Sequence, residues 1–258
     1  MQSLMAGSQF IQGITMFDIE NKDFREDLRH LIAKVKSQEN FAFSKYADGE
    51  LHILANKPVN NGEFWFVPSE HQTNRQEMID SFKFQHESYY VGVSCPCCIG
   101  GPPVHDWMKS QSGQTGDHLT WANIFVNANY KYYLNHMVPE YSKRQVILIS
   151  NSDSNLENLP FDISKHFMIG KNAWVENHNL IQEIKDYITS ENIKNTLFLF
   201  CAGPFGNILV HQLFEFSQDN TYIDIGSTLN PLLLGNEGLN RGYLRGSESI
   251  TKFCTWKD

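Results

Sequence analysis

Several features that would assign this chain to a familiar class are missing from it. The formal net charge is -8, and no basic stripe offsets it, so a general nucleic-acid binder is excluded. No apolar run approaches the roughly 18 residues of a membrane span. The five cysteines are odd in number, and Cys95, Cys97 and Cys98 fall within four positions, unlike the disulfide framework of a secreted domain. The opening residues MQSLMAGSQFIQG have neither a basic start nor a long apolar stretch, so no signal peptide is expected. A reducing, cytoplasmic compartment is the simplest expectation. Internal repeats and low-complexity linkers are also absent. So are the Gly-x-Ser-x-Gly elbow, the Walker ending and a full GxGxxG, and a Ser/His/Asp triad has no support.

Among its 258 residues, 41% are hydrophobic, 19% charged and 13% aromatic, enough for a packed core in one domain over 1–258. Residues 1–40 read as an N-terminal helical region and 239–258 as a tail that could close over a site. Helical spacing runs through 22–38, about 70–86, 119–137, 174–190 and from about 206. Strand-like runs occupy 41–46, 89–93, 145–150, 166–169, 196–202 and 221–225. This alternation predicts an α/β fold, a mostly parallel sheet with helices on both faces. Ligands bind such sheets outside the carboxyl ends of the strands. Small and polar residues collect there: Ala47-Asp48-Gly49-Glu50, Asn151-Ser152, Gly170-Lys171-Asn172, Gly203-Pro204-Phe205-Gly206-Asn207 and Gly226-Ser227.

Three of these segments could carry chemistry. In CAGPFGN a strand enters a Gly-Pro-x-Gly turn that opens a helix, whose free N–H groups and dipole suit a phosphate; a plain strand-to-helix turn is the alternative. Asp48 and Glu50, around Gly49, could share one hard cation, Mg²⁺ or Mn²⁺, with substrate phosphates; alternatively one of them caps a helix starting near Leu51. Arg241 and Arg245 in the tail have the geometry to meet a phosphate, or are simply solvated. The Cys95/Cys97/Cys98 cluster lacks zinc-site spacing and reads better as reduced thiols.

The run Phe43-Ser44-Lys45-Tyr46-Ala47-Asp48-Gly49-Glu50 resembles the opening motif of the GT-D-fold glycosyltransferases, a family first catalogued as a domain of unknown function. Gly203-Pro204 followed by a helix and Ile223-Asp224-Ile225-Gly226 is similar to that family's later block, and Lys171-Asn172-Ala173-Trp174 to its Asn-Ala-Phe segment. Lys45 stands where the family carries Arg, and Ala47 where it carries Gly. The resemblance covers about 43–230.

It implies a Rossmann-like sheet of GT-D type and transfer of a sugar, hexosyl or pentosyl, from a UDP-linked donor to a glycan or glycoprotein acceptor. It further implies Asp48 and Glu50 acting through a divalent metal, and Asp224 touching the sugar or activating the acceptor. Lys45, Asn151, Ser152, Lys171, Asn172, the 203–207 turn, Arg241 and Arg245 would hold the donor. A non-catalytic sugar-nucleotide or glycan module of the same fold is the alternative, and a Rossmann-like methyltransferase, suggested by Asp224-Ile225-Gly226-Ser227, the third reading.

Overall fold

The structure is a computed structural model that describes residues 22–96, 100–235 and 241–244. In chain order its elements are α1 (Lys22–Lys36), β1 (Ala42–Lys45), α2 (Asp48–Leu54), β2 (Val59–Asn60), β3 (Trp65–Phe66), α3 (Gln72–Lys83), β4 (Tyr89–Val93) and α4 (Gly101–Ser112). There follow β5 (Leu119–Trp121), α5 (Tyr130–His136), α6 (Val138–Tyr141), β6 (Val146–Asn151), β7 (Lys165–Ile169), α7 (Ala173–Glu176) and α8 (Leu180–Ser190). The last are β8 (Leu197–Phe200), α9 (Pro204–Phe216), β9 (Thr221–Asp224) and α10 (Asn230–Leu233).

Seven strands form one sheet in the order β5-β4-β1-β9-β8-β6-β7, with every neighbouring pair parallel. Parallel strands need crossovers, and helices on both faces bury the sheet completely. Residue alternation shows this directly. Phe198 and Phe200 of β8 face one core with α3, α8 and α9, while Leu197 and Leu199 face the other with α1 and α5. Ile147 and Ile149 of β6 divide from Val146 and Leu148 in the same way. The chain fills one edge with β4 and β5, crosses to β6 and β7, and returns through β8 and β9 to pair with β1. A change of direction of this kind opens a crevice at the carboxyl ends.

Two expectations need correction. Residues 119–137 are not one helix: Leu119–Trp121 is an edge strand paired with Val91–Val93, and the helix is confined to Tyr130–His136. Trp121 does fit the helical spacing, but hydrogen bonding to β4 decides the matter, and short apolar runs are ambiguous between the two periods. The helix expected over 174–190 is broken at Asn177–Asn179 into α7 and α8. An antiparallel hairpin, β2 with β3, was not anticipated at all. The N-terminal region before Lys22 and most of the tail lie outside the described residues. No described helix is long and apolar enough to cross a membrane.

Leu199 is fully buried at the centre of the sheet. Leu199→Ala should cost about 2–5 kcal/mol. A chemical denaturation curve should show a lower midpoint with an unchanged slope.

Candidate functional site

A cavity of ≈ 650 Å³ lies over the carboxyl ends of all seven strands of the sheet. Its floor is built at the end of β1. Lys45 lines the cavity, and its charge acts on two buried carboxyls, Glu50 and Asp224. Burial raises both, more than the neighbouring ammonium lowers them, and brings Asp224 to about 6. Asp224 accepts hydrogen bonds from the backbone N–H of Gly226 at 2.9 Å and of Lys45. Gly226 has φ +52, and a Cβ there would overlap Cε of Lys45. Glycine is therefore required twice over, by conformation and by space.

Asp48 and Glu50 have separate tasks. Helix α2 begins at Asp48, earlier than expected, with Ala47 as its N-cap. Glu50 turns back, and its Oε2 accepts the Ala47 N–H at 2.9 Å. This is the carboxylate half of a capping box, and it leaves Glu50 only 5% exposed. Asp48 is exposed at the cavity edge. Residues two apart on a helix do not face each other, so the expected pincer on one cation is not formed. The described residues contain no group of three or more His, Cys, Asp or Glu able to hold a metal. What is present suits the mode in which Mg²⁺ or Mn²⁺ takes one carboxylate and completes its shell with substrate phosphates and water. Asp48 is the residue whose position would allow that role.

The hairpin forms the roof. Asn61 Oδ1 accepts the N–H groups of Glu63 and Phe64, both at 3.0 Å, closing the turn between β2 and β3. The Phe64 ring lies against Gly49 and Gly203, at the starts of α2 and α9, and any Cβ at Gly49 would strike it. Asn172, in the left-handed region at φ +49, fixes the hairpin to the sheet. Its N–H donates to Glu63 O at 2.8 Å, and its Oδ1 accepts from Trp65 N at 3.0 Å and Trp174 Nε1 at 2.8 Å. Arg241 pairs with Glu63 and lines the cavity.

Of the residues expected from sequence, Lys45, Asp48, Glu50, Asn151, Lys171, Gly203, Pro204 and Arg241 line this cavity. Six others do not. Helix α9 begins at Pro204 rather than near 206, which carries Phe205, Gly206 and Asn207 inside its first turn. Phe205 is core. Gly206 packs on Asp224 and Phe200. Asn207 donates to Ser44 Oγ at 3.0 Å and Lys45 O at 2.7 Å, tying α9 to β1. Asn172 holds the hairpin, and Ser152 is exposed outside the cavity lining. Asp224 is 1% exposed and is not part of the cavity lining, so it is not placed to touch a sugar or an acceptor hydroxyl; its charge interacts with that of Lys45. Arg245, Cys97 and Cys98 lie outside the described residues. Trp174 is buried in the core and also lines the cavity. The hairpin had a signal, Asn60-Asn61-Gly62 between apolar residues. Ser94, also at the cavity, carried the signal of following the strand expected over 89–93, whereas Asn127 had none.

Neither a family model nor a curated protein matches the chain. Solved structures do. One, described as a new glycosyltransferase (DUF1792) from Streptococcus sanguinis, superposes with a TM-score of 0.57 at 11% identity, covering 88% of this chain and 93% of that one. A selenomethionine-substituted structure of domain of unknown function 1792 gives 0.51 at 14% identity, covering 76% of each chain. The chain has the fold of domain of unknown function 1792. A further structure with that fold, described as a distinct glycosyltransferase fold, gives 0.50 at 14% identity over 76% of this chain and 75% of that one. The expected α/β architecture of GT-D type is thus the observed one.

The raised carboxyl of Asp224 has a sign that can be checked. The folded state holds this proton more tightly than the unfolded chain, so stability falls as pH rises from 3.8 through about 6. Asp224→Asn removes the titration. The melting temperature of the variant relative to wild type should therefore climb between about pH 4 and about pH 7. A constant difference would show that Asp224 does not titrate there.

Proposed function

We propose that this protein transfers a sugar from a nucleoside-diphosphate donor, UDP-linked in the simplest case, to a hydroxyl of a glycan. One observation carries the reading: the cavity gathers the N-terminus of α9 and three cations, Lys45, Lys171 and Arg241, at the carboxyl ends of the strands, in a fold shared with a protein described as a glycosyltransferase.

The donor diphosphate would lie over the start of α9. Pro204 has no N–H, and the Phe205 N–H is the first donor the helix offers toward an anion. Lys45, held by Glu50 and Asp224, faces the charge that grows on the leaving diphosphate. Stabilising that charge lowers the barrier only where the cation is already in place. Lys171 and Arg241 would neutralise the outer phosphate or the ribose side, and Asn151 offers an amide to ribose or base. Arg241 would exchange its pairing with Glu63 for the donor, drawing the hairpin and the tail onto the bound nucleotide. A divalent cation, when bound, supplies further neutralisation of the diphosphate, and Asp48 would hold it. Asp48 is also exposed enough to accept a proton from an incoming hydroxyl, whereas Glu63, the other exposed carboxylate among the described lining residues, is paired with Arg241. Glu50 keeps α2 in register and does not itself act on substrate.

A thermal-shift screen with UDP, GDP and their sugars, with and without Mn²⁺, tests this directly. A ligand that binds only the folded state raises the melting temperature. One nucleoside diphosphate should do so, with the shift strongly reduced in Lys45→Met. Asp48→Asn should retain the metal-free shift and lose the part that Mn²⁺ adds. Silence from every nucleotide in the wild-type protein would overturn the transferase reading.

A further inference from the structure

The charged residues of the cavity are unevenly placed. Lys45, Asp48 and Glu50 lie at the centre, Lys171 follows β7, and Glu63 and Arg241 belong to the roof. The arm over β4 and β5 is different. It is lined by Ser94, Cys95, Ala122, Asn123, Val126 and Asn127, and none of these bears a charge. This arm continues the same cavity, past Lys45 from the β6–β7 side, so two ligands could meet over the floor.

Two polar side chains of the arm lack protein partners. Ser94 directly follows β4 and is 6% exposed. Its carbonyl accepts from His105 Nδ1 at 2.8 Å, while its hydroxyl has no hydrogen-bond partner among the described residues. Asn127 has φ +54, a left-handed conformation that asparagine tolerates. Its amide likewise has no partner among the described residues. With no protein partner among the described residues, the Ser94 hydroxyl and the Asn127 amide are open to hydrogen-bond a ligand or water.

From this distribution we infer that the β4–β5 arm receives the acceptor, and that the acceptor is an uncharged, hydroxyl-bearing saccharide. The inference rests on the transferase reading above and narrows it. A hydroxyl and an amide offer both donors and acceptors, which matches sugar hydroxyls. An anionic acceptor, such as a uronic or sialic acid, would place its carboxylate in an arm whose described lining residues include no cation, and burial of an unpaired charge is strongly unfavourable. The opposite arm carries Lys171 and Arg241 and suits the anionic donor. The two substrates are thereby sorted by charge, with Lys45 and Asp48 between them. The attacking hydroxyl displaces the diphosphate at the anomeric carbon, its oxygen forming the new glycosidic bond. The proton passes to a cavity base, and the bond electrons leave with the diphosphate.

Saturation-transfer NMR on the full chain tests the inference without requiring turnover. The probes are cellobiose, maltotriose and N-acetyllactosamine, set against sialyllactose and a digalacturonate, all in the presence of UDP. At least one neutral saccharide should give signal, and neither acid should. Ser94→Ala and Asn127→Gly should each weaken that saccharide by about fivefold, the scale of one lost neutral hydrogen bond, while the UDP-induced melting shift persists. Glycine keeps the backbone of position 127 accessible, and the melting curve reports whether either variant folds. Preferential binding of the acids, silence from all saccharides beside an intact UDP shift, or unchanged affinity in both folded variants would overturn the inference alone. Absence of a melting shift with every nucleoside diphosphate in the wild-type protein would overturn the transferase reading with it.

Discussion

An ammonium group taken partly out of water must be answered by acids, and the acids by it. The end of β1 is organised around that constraint. Lys45 acts on Glu50 and Asp224, which come from opposite directions, one from the first turn of α2 and the other from the end of β9. Neither carboxyl has enough solvent to carry its charge alone. The neighbouring elements follow. Gly226 takes a left-handed turn so that the lysine stem can pass, and Asn207 stitches α9 to the Lys45 carbonyl. Tyr46, the next residue, closes a buried hydroxyl chain through Ser81 to the Asn207 carbonyl at 2.6 Å and 2.7 Å. Such a network specifies one arrangement because a partly satisfied version is costly.

The roof is coupled to this floor by shape rather than by charge. Phe64 lies over Gly49 and Gly203 at once, so the starts of α2 and α9 are kept at a fixed separation by one ring. The glycine between Asp48 and Glu50 thus answers a steric demand from the hairpin, whatever the two carboxylates do. Asn172, which follows β7, then holds the hairpin through two hydrogen bonds, while Trp174 Nε1 donates to the same Oδ1.

Legibility in the sequence followed the range of the interactions involved. The strands of the central sheet are short apolar runs bounded by turn residues, and their pattern is local, so the α/β class and the rim of small residues could be read directly. Residues 119–121 could not, because a three-residue edge strand is defined by its neighbour and its apolar spacing also satisfies a helix. At the site, Asp48, Lys171 and Gly203 could be found because they follow strands, and Lys45, the last residue of β1, because of the motif that resembles the family's. Asp224 follows a strand too, yet its neighbour Gly226 turns it inward, and a backbone dihedral of that kind leaves little trace in residue identity. Asn172 and Asn207 resemble ligand contacts in one dimension; in three they are cross-links between segments more than a hundred residues apart. Whether Asp48 or Glu50 would be the free carboxylate depended on where α2 starts, and helix boundaries are the least certain part of any such reading.

The order of the strands has a consequence for how the molecule is made. β1 is synthesised early, but its partner on one side, β9, comes almost at the end of the described chain. Strands β1, β4 and β5 can pair as soon as they leave the ribosome, and β6, β7 and β8 can form a second block later. Until Thr221–Asp224 arrives to join them, each block exposes an open, apolar strand edge, which is the element most prone to mispairing. Joining the blocks also closes the longest loop in the sheet, a step that long-range pairing makes slow. The two arms of the cavity belong to these two blocks. The site therefore comes into existence only at the last step of folding, and a chain cut short before β9 would display both halves and possess neither function.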